Sequence, residues 1–214
     1  MLSLPPVAEV RVRFADLGKR FGSRAVFTGL SGELRPHCVV AVTGRNGSGK
    51  STLLKLLAGL SRPSAGEVSY LAGDTPIPRA HWHRLLGMAA PDMAVYEELS
   101  ALENLRFYAR VRGLVRTDGE LERLLADLGL AARDVRRPVA TFSSGMKQRV
   151  KLAQAVVHQP AVLLLDEPSS NLDETGHETI AGLVKSFRAR TVLAIATNDP
   201  REAAWGDEHI QLGG

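Results

Sequence analysis

The chain runs to 214 residues, long enough for one domain with a sizeable core or for one domain carrying a subdomain. Its 44% hydrophobic and 23% charged residues are ordinary for a globular protein, and no apolar run approaches the ~18 residues that span a membrane. A net charge of +4, spread without a basic block, argues against a nucleic-acid surface.

Met1-Leu2-Ser3-Leu4-Pro5-Pro6 lacks the basic and long apolar regions of a secretory leader, so none is expected. Val10, Val12 and Phe14 alternate with Arg11 and Arg13, the period of a half-buried strand. Gly18–Gly22 reads as a turn, and Phe21 within it is either a platform for a nucleobase or a plug on the sheet edge. Ala25–Leu34 and Cys38–Val42 read as further strands on either side of Pro36. Cys38 is the only cysteine, which rules out an internal disulfide, fits a reducing cytoplasm and reads as a small core residue.

The apolar run Val39–Val42 ends in Gly44-Arg45-Asn46-Gly47-Ser48-Gly49-Lys50-Ser51, and a helical pattern follows at once. G-x-x-x-x-G-K-S between a buried strand and a helix is the spacing of a triphosphate cradle. Glycines let successive backbone N–H groups wrap around phosphate oxygens, and the helix starting near Lys50 turns its positive end to the same anion. Lys50 would neutralise the β- and γ-phosphates, the Ser51 hydroxyl would hold Mg²⁺, and Thr52 would lie near the α-phosphate. A nucleoside triphosphate is the expected ligand.

Glu67–Leu71 reads as a short strand and Thr75-Pro76-Ile77-Pro78 as a loop. His81-Trp82-His83 has no third metal ligand at suitable spacing, so these are expected to be surface residues at an element boundary. From Leu99 to Ala140 the period becomes helical: Leu102, Leu105 and Ala109, then Leu121, Leu124, Leu125 and Leu128 with Gly129 as a stop. After Thr141-Phe142-Ser143-Ser144-Gly145 a helix runs to about His158, its buried face marked by Met146, Val150, Ala153 and Val157. Ala161–Leu165 is an apolar strand ending in Asp166-Glu167-Pro168, where a P-loop fold places its Mg²⁺-binding acid. A helix over Thr175–Ala189, a buried strand over Thr191–Ala196 and a last strand over His209–Leu212 complete the pattern. Strands alternating with helices around a phosphate loop imply a mainly parallel α/β sheet.

Taken in order, these motifs resemble the nucleotide-binding domain of ABC transporters over essentially the whole chain. Gly44–Ser51 is similar to the Walker A motif, Phe142-Ser143-Ser144-Gly145-Met146 to the signature, and Val162–Asp166 with Glu167 to Walker B and its catalytic glutamate. Ser170-Asn171-Leu172-Asp173 is similar to the D-loop, and Phe21 falls where the family stacks an aromatic ring on adenine. The resemblance implies one P-loop NTPase domain over 1–214 with an N-terminal antiparallel β subdomain. Residues 1–85 and 159–214 would form the core with that subdomain, and 86–158 the Q-loop region, helical insert and signature helix.

It further implies ATP and Mg²⁺ as ligands, and a head-to-tail homodimer or heterodimer. Ser143, Ser144 and Gly145 of one subunit would then meet the ATP held by Asn46, Gly47, Ser48, Gly49 and Lys50 of the other, and Asn171 and Asp173 would belong to the D-loop. Asp166 with Ser51 would position Mg²⁺, and Glu167 would orient or deprotonate the attacking water. A membrane subunit on a separate chain would hold the protein at the cytoplasmic face of the membrane. It would dock on the insert and on the loop Pro91–Leu99, where Met93, Val95 and Tyr96 either receive a coupling helix or pack under the insert. Glu98–Tyr108 also resembles the haem-exporter ATPases of cytochrome c maturation.

Two positions depart from the family. The usual Q-loop glutamine falls at Pro91, which has no side-chain donor or acceptor, although Asp92 beside it could contact Mg²⁺ or water. The usual switch histidine falls at Asn198, whose amide can donate to a γ-phosphate oxygen but cannot exchange a proton near neutral pH. Slow hydrolysis is therefore expected. The alternatives are a nucleotide-gated interaction module with little hydrolysis and a soluble ABC ATPase outside transport.

Overall fold

Two sheets organise residues 10–213, the portion described by the computed structural model; the reading of Met1–Pro6 lies outside the described residues. The first sheet is antiparallel, in the order β2–β1–β4–β5, from Val10–Phe21 (β1), Arg24–Leu34 (β2), Ala65–Ala72 (β4) and Thr75–Ile77 (β5). Val10, Val12 and Phe14 are buried as their alternation requires. The chain does not turn at Gly18. Strand β1 continues to Phe21, Gly18 pairs with Ala65, and register shifts around Leu17 and Lys19 bend the strand without ending it. The turn is Gly22-Ser23, with Gly22 at φ +58.

Thr75–Ile77, expected as a loop, is an edge strand on β4, a place where Pro76 withdraws no ladder hydrogen bond that a second neighbour needs. Trp82 is likewise not a surface residue. It is buried, its ring stacks on Tyr70 at 4.2 Å, and its Nε1 donates to the Ile77 carbonyl at 2.9 Å. His81 and His83 stay partly or fully exposed, and no metal-ligating cluster exists among the described residues.

The second sheet is wholly parallel, in the order β6–β7–β8–β3–β9, from Leu86–Ala89 (β6), Val162–Asp166 (β7), Val192–Ala196 (β8), Val39–Gly44 (β3) and Glu208–Leu212 (β9). Helices cover both faces, which is why its central strands read as unbroken apolar runs. Val40, Val42, Leu164 and Ala194 face one core with Leu53 and Leu57 of helix α1 (Lys50–Leu57). Their neighbours Val39, Leu163, Leu165, Leu193 and Ile195 face the other. Cys38 is buried at the edge of the first core, as a small apolar residue.

The second core is built by the insert and by α6 (Glu174–Arg188). Helices α3 (Ala101–Val111) and α4 (Asp118–Asp127) each begin with a reciprocal capping box, Ser100 with Glu103 and Thr117 with Glu120. Helix α5 (Ser144–Val156) lies against β6 so closely that a Cβ at Gly87 would come within 2.1 Å of the Ala155 carbonyl oxygen. Two short helices, α2 (Trp82–Leu85) and α7 (Pro200–Ala203), link strands.

Candidate nucleotide-binding site

The loop from β3 to α1 is held in a shape that only glycines accept at its tight points. Gly44, Gly47 and Gly49 have φ of +147, +79 and +104. A Cβ at Gly44 would lie 2.4 Å from the Leu212 carbonyl oxygen, and one at Gly49 would lie 2.4 Å from Val26 Cγ1. The loop therefore sits directly against β9 on one side and the β1–β2 hairpin on the other. Lys50 is 7% exposed, and its Nζ donates to the Gly44 carbonyl at 2.9 Å and to Asn198 Oδ1 at 2.6 Å. An ammonium only donates, so the Asn198 amide must turn its oxygen to Lys50; its Nδ2 donates to Asn46 Oδ1. Ser48 Oγ is buried without a partner among the described residues.

Asp166 closes β7 at 1% exposure, and Glu167 follows at φ +48, its backbone N–H donating to the Ala196 carbonyl at 2.8 Å. That left-handed turn lifts the Glu167 carboxylate off the strand toward the Asn198 N–H (3.4 Å) and the Thr197 hydroxyl (3.5 Å). Burial pushes the Glu167 carboxyl above the usual carboxylate range, against the pull of the Asn198 N–H. Burial raises Asp166 too, opposed by a hydrogen bond from the Ser51 hydroxyl. Asp166 Oδ1 is buried with no partner among the described residues. A hydroxyl beside a carboxylate with a spare oxygen is a donor set that fits Mg²⁺, a hard cation taking oxygen ligands.

Lys50, Ser51 and Glu167 line an open cavity of about 520 Å³ with Asn46, Gly47, Gly49 and Thr52 at its phosphate-loop end and Phe21, Arg24 and Val26 at its hairpin end. Phe21 is 59% exposed, which removes the edge-plug reading; Lys19 Nζ lies over its ring, 4.9 Å from the centroid. Glu167 and Asn198 also face a second cavity of about 620 Å³, lined by Asn171, Asp173, His177 and Glu202 among others.

The signature residues stand apart from the phosphate loop of their own chain. Ser143 is the N-cap of α5, accepting from Met146 N at 3.3 Å, and Ser144 is exposed. Gly145 touches the D-loop: a Cβ there would lie 2.7 Å from the Asn171 carbonyl oxygen. Asp173 caps α6 through Gly176 N at 3.0 Å.

Pro91 is exposed and offers only its carbonyl, which accepts from Lys151 Nζ at 2.6 Å. Asp92 does not stand free for a cation, because Lys55 Nζ of α1 holds it at 2.6 Å. Met93 and Val95 pack against the cores, whereas Tyr96 is 48% exposed with its ring edge-on to Phe107 at 5.0 Å. The two readings of this loop thus divide among its residues.

Sequence reasoning missed Arg24, Thr197 and Glu202. Glu202 is 1% exposed and accepts from Ser169 N at 2.8 Å, tying the switch loop to the chain after Walker B. The Gly-Ser pair after Phe21, read as a two-residue hairpin turn, is the signal that would have placed Arg24 opposite Phe21.

Residues 27–170 match the family described as ABC transporter. The lipoprotein-releasing system ATP-binding protein LolD of Hydrogenovibrio crunogenus is 37% identical over 196 residues, covering 87% of this chain and 85% of its own. The cytochrome c biogenesis ATP-binding export protein CcmA of Cupriavidus pinatubonensis is 37% identical over 209 residues, covering 95% and 89%. The dimeric structure of MJ0796, a bacterial ABC transporter cassette, shares the fold with a TM-score of 0.83 over 94% of each chain at 21% identity. Motif order, parallel sheet, phosphate loop and relatives agree, and the chain belongs to the ABC transporter family of ATP-binding proteins.

Proposed function

We propose that this chain is the ATP-hydrolysing motor of a transporter whose membrane part is another polypeptide. The observation that carries the reading is the cavity lined by Lys50, Ser51 and Glu167, with Asn198 bonded to both Lys50 and Glu167 and Asp166 bonded to Ser51. Lys50 and the loop amides bind the triphosphate, and Ser51 with Asp166 would hold Mg²⁺, which when bound would offset the negative charge of the phosphates. Glu167, backed by the Asn198 and Thr197 donors, orients the attacking water and takes its proton. Asn198 leaves Lys50 when nucleotide enters, and its Nδ2 then donates to the γ-phosphate. With no imidazole there and Pro91 at the Q-loop, hydrolysis is slow.

Two copies pair head to tail, the exposed Ser143 and Ser144 and the half-buried Gly145 of each meeting the other's ATP. The exposed Tyr96–Phe107 pair is where the membrane partner docks, which puts the protein on the cytoplasmic face. Relatives named for lipoprotein release, cytochrome c biogenesis and Fe(3+) import stand at 35–38% identity, so the cargo is assigned to the partner rather than to this chain.

The Lys50–Asn198 contact also favours a second reading, a nucleotide-gated clamp whose closing rather than turnover matters. ATP turnover by wild type, Glu167→Gln and Asn198→His separates the two. The motor reading expects wild-type turnover that Glu167→Gln abolishes and Asn198→His changes only modestly. It also expects turnover to fall as pH drops through the raised Glu167 range, since a protonated base cannot accept. Wild type and Glu167→Gln equally silent, with and without the membrane partner, would sink it.

A further inference from the structure

We infer that Glu202 is a positioning residue for hydrolysis: with Gln148 it clamps the turn over 167–170, so that the Glu167 carboxylate faces the nucleotide rather than the second cavity. The inference rests on the hydrolytic reading above. Glu167 lines both cavities, one with Lys50 and Ser51 and the other with Asp173 and His177. Its side chain therefore has room on either side, and only the first side holds a triphosphate. Its backbone sits at φ +48, a region that a residue with a Cβ keeps only where its surroundings fix it. The carboxylate itself is lightly held. The Asn198 N–H and the Thr197 hydroxyl stand 3.4 and 3.5 Å away, at the outer limit of a hydrogen bond. What aims the carboxylate is then the backbone beneath it.

That backbone is a tight turn, closed by Ser170 N donating to the Glu167 carbonyl at 3.1 Å. Two side chains from different helices hold it. From α7, Glu202 accepts from Ser169 N at 2.8 Å and from the Ser169 hydroxyl. From α5, Gln148 Nε2 donates to the Pro168 carbonyl at 3.1 Å. Both side chains are buried, Glu202 at 1% and Gln148 at 4% exposure, where water does not contest the bonds. A carboxylate is costly to bury, and Glu202 Oε2 has no partner among the described residues. An apolar side chain would fill the same space at less cost, so what the site needs from Glu202 is its acceptor. Glu202 also lies on the short helix that follows Asn198, so one tether holds Asn198 and Glu167 in register with each other.

Glu202→Ala leaves the Ser169 N–H and hydroxyl without their acceptor and lets the turn relax toward the second cavity. Lys50, Ser51 and the loop amides keep their places, so ATP binding stays. Turnover falls, by up to about 100-fold for a displacement of about 1 Å. Glu202→Gln keeps an oxygen for Ser169 and recovers most of that loss. Gln148→Ala, on the other helix, removes the Pro168 bond and lowers turnover in the same way.

The test is kcat and the ATP dissociation constant, each with Mg²⁺ and with and without the membrane partner. The variants are Glu202→Ala, Glu202→Gln, Gln148→Ala and the double alanine variant, beside wild type and Glu167→Gln. The expected result is a lowered kcat with unchanged ATP affinity in both alanine variants, and recovery in Glu202→Gln. The double variant should lose less than the product of the two single losses, because both side chains hold one turn. Wild-type kcat in Glu202→Ala overturns the inference. So does a Glu202→Ala that weakens ATP binding as much as it lowers kcat, a Glu202→Gln as slow as the alanine, or single losses that simply multiply. If Glu202→Ala does not fold, Ser169→Ala and Gln148→Ala carry the test, and wild-type kcat in both overturns it. Wild type no faster than Glu167→Gln under either condition overturns the hydrolytic reading, and this inference with it.

Discussion

His158 shows how one buried group makes the stability of the fold depend on pH. Its Nε2 lies 3.0 Å from both the Leu86 carbonyl oxygen and Arg112 Nη1, and its Nδ1 is buried without a partner among the described residues. Burial, reinforced by the Arg112 charge, holds its pKa down to about 4 from the model-peptide value of 6.5. Unfolded chain therefore binds a proton that folded chain refuses, and stability is lost as pH falls from 6.5 toward 4. The shift corresponds to about 3 kcal/mol at the acid end. Denaturant midpoints measured from pH 7 to pH 4 should fall steeply for wild type and less steeply for His158→Gln; identical slopes would show that the imidazole is not responsible. Legibility at this scale follows sequence distance. The phosphate loop could be read because its requirements fall within a few consecutive residues. The hold of Asn198 on Lys50 could not, because 148 residues separate them and only the fold brings them together.

The segment between β6 and α3 owes its shape to the insert helices. Helix α5 reaches it through Lys147 to Glu97 at 2.5 Å, Lys151 to the Pro91 carbonyl at 2.6 Å and Gln154 to Asn104 Oδ1 at 3.4 Å. Asn104, wholly buried in α3, accepts from Tyr96 N and donates to the Tyr96 and Ser100 carbonyls, each at 2.9 Å. Asn104→Ala would leave the Tyr96 backbone groups without those partners and should cost about 2–4 kcal/mol in chemical denaturation. A loss below about 0.5 kcal/mol would mean that water replaces the amide without penalty. The exposed Lys55–Asp92 pair is of the surface kind, worth under about 1 kcal/mol. Elements with strong periodicity, such as α4 and the long apolar strands, were legible from sequence. Strand β5 was not, being three residues long around a proline, and β6 follows α2 with no turn residue to announce it. The Gly18 turn failed for a related reason: a glycine inside a strand marks a bend there as readily as an end.

The whole molecule places its chemistry along one line. Strands β3, β7 and β8 run in parallel and end at Gly44, Asp166 and Ala196, so the phosphate loop, the Asp166 carboxylate and the loop carrying Asn198 emerge from the same edge of the sheet. The alternation of strands and helices made that edge legible in advance, whereas the second cavity beside it, made from segments far apart in sequence, was not. His177 lines that cavity with Glu167 and Asn198, and its ring lies 4.9 Å from the ring of Trp205. The chain has only two tryptophans, and the other, Trp82, is stacked on Tyr70 in the opposite core. The protein thus carries its own optical reporter: a shift of the switch loop changes the quenching of the Trp205 indole, while Trp82 glows at constant intensity. Adding nucleotide should alter tryptophan fluorescence in wild type and not in Trp205→Phe, and the stopped-flow rate of that change would clock the departure of Asn198 from Lys50 without any attached dye.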